Sequence, residues 1–240
     1  MMMLSEMIHC RKTTRQFEKT ALDSADLTKI ETFARALTPL LAHIKTDFQI
    51  IDSSLVKNML PWKTPHYIAI FSEEKENFGV NVGFMFQQLD LYVQSLGLGC
   101  YWFGLGKLAY RQDIENMKFV VLMGVGHPKN SAIRSTSGFR RKRLEEISDQ
   151  RDERLEPARL APSGKNAQPW FFTHEDDVIH CYCKPKGMFS QAASPSQINQ
   201  IDIGCALAHL YVTNPNTFRF HIFPNPPSKD GCAYIGSFQI

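Results

Sequence analysis

The chain has 240 residues, 43% of them hydrophobic and 21% charged, enough to bury one sizeable core or two smaller ones. Its 27 Lys and Arg against 24 Asp and Glu leave a net charge of +3, too modest to call for nucleic acid as a partner, though an anionic small ligand stays open. No apolar run approaches the roughly 18 residues of a membrane span, and MMMLSEMIHCRK is too short and too polar for a signal peptide, so a cytoplasmic protein with no membrane partner is expected.

The first informative stretch is RKTTR (11–15), where Arg11, Lys12 and Arg15 flank Thr13 and Thr14. Guanidinium, ammonium and hydroxyl donors suit a phosphate, although a solvated basic surface has the same composition. DSADLTKIETFARAL follows, with Asp23 or Ser24 as a cap and Leu27, Ile30, Ala34 and Leu37 on one face, which predicts an amphipathic helix ending at Thr38-Pro39. Residues 47–52 and 66–71 read as strands. Val82, Phe86, Leu89, Val93 and Leu96 step by four and three, the stripe of a long buried helix that stops at Gly97.

SLGLGCYWFGLGK (95–107) fits neither a phosphate loop nor a dinucleotide fingerprint. It reads as a loop that brings backbone N–H groups against a flat ring, or as the turn ending a buried helix. KFVVLMGVGHP (118–128) suits a strand buried on both faces. The charged segment 138–160 predicts a helix with Leu144, Ile147 and Leu155 inward, opening on a second basic run, RRKR (140–143). A strand at 178–183, a helix through 201–212 and strands at 218–223 and 232–240 complete an α+β pattern.

The second half repeats the style of the first. NVGFMFQQL (81–89) and DIGCALAHL (202–210) align without gaps, each followed by a strand, which reads either as a duplicated unit or as the common look of buried helices that begin with glycine.

Among candidate chemical groups, Cys181 and Cys183 lie on one face of their strand and His180 on the other, so no tetrahedral metal site is placed and no metal is expected. The cysteines at 10, 100, 181, 183, 205 and 232 lack the dense spacing of a disulfide scaffold and read as reduced. Neither a serine elbow nor a cysteine-histidine pair can be assigned, so no obligatory side-chain acid or base is expected. APSGKNAQPW (161–170) presents Ser163, Asn166 and Gln168 from a backbone that proline and glycine keep irregular. Hydroxyl and amide groups suit the polar edge of a heteroaromatic ring; a rigid connection with Trp170 in the core is the alternative.

Taken together, these stretches resemble the nitroreductase family of FMN oxidoreductases over most of residues 8–213. The resemblance rests on Arg11, Lys12, Thr13, Arg15 and Phe17; on Ala161, Pro162, Ser163, Asn166, Gln168, Pro169 and Trp170; on the glycine-tryptophan segment from Gly97 to Gly104; and on Gly126 with Pro128. The order departs from the family's usual one, because the proline-serine loop follows the basic cluster here by about 150 residues. Family members are typically intertwined homodimers in which one subunit's loop completes the other's flavin site. The spacing therefore favours two fused, diverged halves, 1–137 supplying phosphate and ring contacts and 138–240 supplying the loop, and resembles the subgroup carrying both halves in one polypeptide.

The resemblance implies a nitroreductase-like fold of mixed β-sheets flanked by helices, with two halves related by a pseudo-two-fold axis. It implies FMN as cofactor, NADH or NADPH as reductant, and a nitroaromatic, quinone or similar small acceptor. Arg11, Lys12 and Thr13, with Arg141, would hold the phosphate or ribityl chain. Arg15 would supply the catalytic electrostatics on the pyrimidine side. Phe103 and Gly104 would offer backbone beside the ring's reactive nitrogen, and Pro162, Ser163, Asn166 and Gln168 would contact the flavin from the second half. One complete site per chain implies a monomer with a single FMN. A flavin-binding carrier or sensor without turnover, or another flavin chemistry such as reductive dehalogenation, is the alternative.

Overall fold

The computed structural model of the chain describes residues 3–110, 114, 116–184 and 195–240. Two compact units divide it, Met1–Phe78 with Gln88–Gly138, and Gly79–Gln87 with Phe139–Ile240.

The first unit holds α1 (Leu4–Met7), α2 (Ser24–Arg35), β1 (Thr46–Asp52), β2 (Val56–Lys57), β3 (His66–Ser72), the later part of α3 (Phe78–Ser95), β4 (Gly99–Phe103), β5 (Lys107–Leu108) and β6 (Lys118–Gly126). Helix α2 begins where Asp23 accepts a hydrogen bond from the Asp26 N–H at 2.8 Å, and it buries Ile30 and Ala34. The principal sheet has the order β1-β3-β6-β4 with every pairing antiparallel, and β2 and β5 form a separate short ribbon. Its core gathers Tyr67, Ala69 and Phe71 from β3 with Tyr101 and Phe103 from β4 and Leu122 from β6.

Strand β4 corrects the reading of 95–107 as a glycine-aromatic loop. Gly99 to Phe103 pair with Gly126 to Leu122, so the aromatics alternate across a sheet. Gly99 is there for close approach, since a Cβ would lie 2.6 Å from Thr14 Cγ2.

The second unit takes residues 79–87 of α3 together with α4 (Leu144–Ile147), α5 (Glu156–Arg159), β7 (Trp170–Glu175), β8 (Val178–Cys183), α6 (Gln197–Thr213), β9 (Arg219–His221) and β10 (Ala233–Gln239). Its sheet has the order β7-β8-β10-β9, again antiparallel throughout. Within this unit, Gly83 and Gly204 allow two helical segments to cross at backbone distance. A Cβ on Gly83 would lie 2.1 Å from the Ile201 carbonyl oxygen, and one on Gly204 2.2 Å from that of Val80.

The single helix expected over 138–160 is three short pieces, α4, a 3-10 turn at Glu153–Leu155, and α5. Helical propensity loses to strand pairing here. Ser148 bridges Phe172 of β7, and the Asp149 N–H donates to the Phe172 carbonyl at 3.0 Å, which pulls the chain out of the helix. Leu144, Ile147 and Leu155 are buried nonetheless. Strand β7, which no periodicity announced, is the partner that causes the break.

Candidate functional site

In the first unit the RKTTR segment is an extended strap. Thr13 bridges Cys100 on the outer edge of β4, Arg11 bridges Ile133, and Phe17 bridges Pro128. Further backbone bonds join Thr14 N–H to the Cys100 carbonyl at 3.0 Å and Lys129 N–H to the Gln16 carbonyl at 3.0 Å. The strap therefore covers an edge whose amides and carbonyls would otherwise face solvent.

Helix α3 fixes its base. Arg11, 1% exposed, donates from Nε to Asp90 Oδ2 at 2.7 Å, and Asp90 is itself fully buried. Asp90 Oδ1 accepts from Gln94 Nε2 at 3.0 Å, and Gln94 Oε1 accepts the Lys12 N–H at 2.7 Å. The spacing of Asp90 and Gln94 puts both on one helical face. Arg11 thus serves a buried carboxylate, an anchoring position that its place in a basic run did not reveal.

Beyond Arg11 the strap walls a cavity of about 500 Å³, lined by Lys12 to Gln16, Pro61, Trp62, Asn130 and Ser131. Lys12 and Thr13 are half-buried and Arg15 is exposed. Thr14 is 5% exposed, and its hydroxyl oxygen is buried without a hydrogen-bond partner among the described residues. The Arg15 guanidinium carbon lies 4.6 Å from the centre of the Trp62 ring. Lys12 Nζ reaches the Ser131 carbonyl at 3.4 Å. Phe103 is 2% exposed in the aromatic core, whereas a Cβ on Gly104 would meet nothing within 4 Å. Tyr101 lies in the same core, and burial together with the neighbouring Tyr67 hydroxyl holds its phenol well above the usual range, so it remains a donor.

In the second unit, 161–169 is a braced loop around a 3-10 turn at Gly164–Asn166. Lys165, Asn166 and Gln168 have φ of 51°, 55° and 50°, a left-handed conformation that costs an L residue about 1–2 kcal/mol each. Side chains hold it. Asn166 Oδ1 accepts from Arg141 at 2.7 Å, and its Nδ2 donates to the Arg140 carbonyl at 2.8 Å. Gln168, 4% exposed, accepts the Lys142 N–H at 2.7 Å and donates to the Asn166 carbonyl at 3.2 Å. Ser163 Oγ accepts the Gln168 N–H at 2.9 Å, and Pro162 is buried. The Gly164 N–H donates to Asp202 Oδ1 of α6 at 2.8 Å. Burial pushes the Asp202 carboxyl up to about 7, against the opposing pull of that N–H.

Of the sequence-predicted residues, Arg11, Lys12, Thr13 and Arg15 come together in the first unit, and Arg141, Pro162, Ser163, Asn166 and Gln168 in the second. Thr14, Gln16, Trp62, Asn130 and Ser131 are cavity residues beyond the predicted set. Only Thr14 carried a sequence signal, as the second hydroxyl of the basic cluster. Burial raises the thiols of Cys10, Cys100, Cys181 and Cys232, and that of Cys183 to about 11, so none of these is poised as a thiolate nucleophile. Among the described residues no helix is long and apolar enough to cross a membrane, and no three His, Cys, Asp or Glu gather as a metal-binding group.

Residues 3–214 match the model of the family described as "Putative TM nitroreductase". Among solved structures, a Thermotoga maritima protein of similar description superposes with a TM-score of 0.66 at 18% identity, over 99% of this chain and 92% of that one, a likeness of fold. A nitroreductase family protein from Clostridium difficile 630 matches 63% of this chain and 100% of its own at TM-score 0.46 and 14% identity. An FMN-dependent nitroreductase from Clostridium difficile R20291 matches 52% of this chain and 87% of its own at TM-score 0.41 and 13% identity. No curated protein matches the chain.

Proposed function

The chain belongs to this nitroreductase family, and from that premise we propose that it is an FMN-dependent oxidoreductase that takes hydride from NADH or NADPH and passes electrons to a nitroaromatic, quinone or similar small acceptor. The observation that carries the reading is the first unit's cavity. Its donor set of Lys12, Thr13 and Arg15 fits the phosphate or ribityl end of a flavin mononucleotide.

When bound, FMN supplies the two-electron carrier chemistry; the protein's residues bind, orient and tune. Lys12 and Thr13 contribute charge and hydroxyl donors directly. Arg11 acts one step back, fixing the strap through Asp90 so that these donors face the cavity. Arg15 places a permanent cation beside a ring that gains negative charge on reduction, which favours the reduced form. The backbone at Phe103 and Gly104 is proposed to approach the ring, for which the open space at Gly104 leaves room. Pro162, Ser163, Asn166 and Gln168 keep their proposed cofactor-facing role. Ser163 retains a hydroxyl hydrogen to donate after accepting from Gln168, while Asn166 and Gln168 also brace their own loop, with Arg141 as a strut.

The two halves are proposed to be copies of one unit, and the chain a monomer with one FMN. The identical strand orders support this, as do the glycines that align between 81–89 and 202–210: Gly83 meets the residue equivalent to Val80, and Gly204 meets Val80 itself. Free cysteines suit a reducing cytoplasm.

Purified protein should be yellow and should bleach within seconds of anaerobic mixing with NADPH. A folded but colourless protein that takes up no FMN overturns the reading. A yellow protein that does not bleach with either nicotinamide favours a flavin carrier or sensor instead.

A further inference from the structure

We propose that Trp62 is a positioning residue that holds the Arg15 guanidinium at the cavity. The proposal rests on the flavin reading of Arg15 above and extends it to a residue outside every motif of the sequence. Arg15 is exposed, and a long exposed side chain has no reason to keep one geometry unless something nearby selects it. Its guanidinium carbon sits 4.6 Å from the Trp62 ring centre, where the planar, weakly hydrated cation meets the negative face of an indole.

Trp62 is in turn fixed by the sheet. Its carbonyl accepts two hydrogen bonds, from Asn58 Nδ2 at 2.6 Å and from the Tyr101 hydroxyl at 3.0 Å. Asn58 Nδ2 also reaches the Tyr67 hydroxyl at 3.0 Å, while its Oδ1 accepts the Leu60 N–H at 2.8 Å. The Trp62 ring meets Tyr101 edge-on, with centroids 6.4 Å apart at 90°. A chain of contacts therefore runs from Tyr67 on β3 and Tyr101 on β4, through Asn58 and Trp62, to the cation. The rigid sheet sets where Arg15 points, and a cation held before the ligand arrives loses less freedom on binding.

FMN dissociation constants for the wild type, Trp62→Leu, Trp62→Phe, Arg15→Ala and the Trp62→Leu/Arg15→Ala double variant test this, together with the NMR shifts of the Arg15 Cδ methylene protons in flavin-free protein. Trp62→Leu should weaken FMN about fivefold, the size of one exposed cation–π contact. Trp62→Phe, which keeps a ring, should stay within about twofold, and the double variant should bind no worse than Arg15→Ala alone. The Arg15 protons should be shifted upfield by the indole in the wild type and lose that shift in Trp62→Leu. If Trp62→Leu does not fold, Tyr101→Phe, which removes only the hydroxyl that holds the Trp62 carbonyl, should diminish the shift. Additive losses in the double variant, or unshifted Arg15 protons in the wild type, overturn the proposal. Failure of the wild type to bind FMN overturns the flavin reading instead, and the ring-current shift still decides whether Trp62 holds Arg15.

Discussion

The two basic segments, 11–15 and 140–143, have similar side chains and opposite uses. In the first unit one arginine is buried against Asp90, and the cations after it line a cavity. In the second, the Arg141 guanidinium donates to Asn166, the Lys142 ammonium and backbone N–H donate to Gln168, and the Arg140 carbonyl accepts from Asn166, so the segment and the 161–169 loop brace each other. The acids on the two long helices differ in the same way. Asp90 faces a guanidinium, whereas Asp202 has, among the described residues, a single backbone N–H. In the first run, then, a buried anchor leaves the neighbouring cations lining a cavity, while in the second the run holds a loop.

The largest effect should come from breaking the first anchor. Arg11→Ala leaves a buried carboxylate without its cation and should cost about 3–5 kcal/mol in urea unfolding. Replacing both partners, as in Arg11→Met with Asp90→Leu, should recover most of it, and a double variant as unstable as the single one would refute the assignment of the loss to a stranded charge. Asp202→Asn tests the opposite case. A carboxyl lifted from 3.8 to about 7 keeps its proton in the folded state while the unfolded chain loses it, so it favours folding at low pH and loses that advantage as pH rises from about 4 to about 7. Asparagine can still accept the Gly164 N–H. The variant should therefore gain on the wild type by a few kcal/mol between pH 4 and pH 8, because each tenfold fall in proton concentration between the two values is worth about 1.4 kcal/mol. Parallel stability curves across that range would show that Asp202 is not raised.

Much of this architecture was legible. The stripe from Val82 to Leu96 and a cap at Asp23 or Ser24 announced their helices because each rests on local spacing, whereas RKTTR read equally as phosphate donors or as a solvated basic surface. What stayed hidden depends on distant partners. Gly99 looked like a loop residue because its purpose, room for Thr14 and Phe17, lies more than eighty residues away in the sequence. The charged stretch from 138 looked helical because its break is made by Phe172. Trp62, Asn130 and Ser131 share no motif with the strap and enter the cavity only through the fold. Arg11 was legible as a cation but not as a buried one, since nothing in RKTTR names Asp90.

A middle-sized effect tests the second unit's bracing. Asn166→Ala removes two exposed hydrogen bonds while keeping the unfavourable φ of 55°, and should cost about 1–2 kcal/mol. Asn166→Gly removes the same bonds but relieves the backbone, so it should cost less than Asn166→Ala. Equal losses would mean that the hydrogen bonds alone hold the turn.

The smallest effect on stability should accompany one of the clearest effects on ligand binding. Arg15 is exposed, and its one described partner is the Trp62 ring, so Arg15→Ala should change unfolding free energy by no more than about 0.5–1 kcal/mol. In the same protein, the cation proposed to sit beside reduced FMN is gone. Reduction by NADPH should slow, and the flavin midpoint potential should fall, because the reduced form loses its compensating charge while the oxidised form loses little. Arg15→Lys should restore part of the potential, which needs only charge, and less of the FMN affinity, which also needs the planar group stacked on Trp62. An Arg15→Ala protein as unstable as Arg11→Ala would erase the distinction between anchor and ligand-facing cation within the strap. Unchanged stability with unchanged potential would leave the distinction standing but remove Arg15 from the flavin.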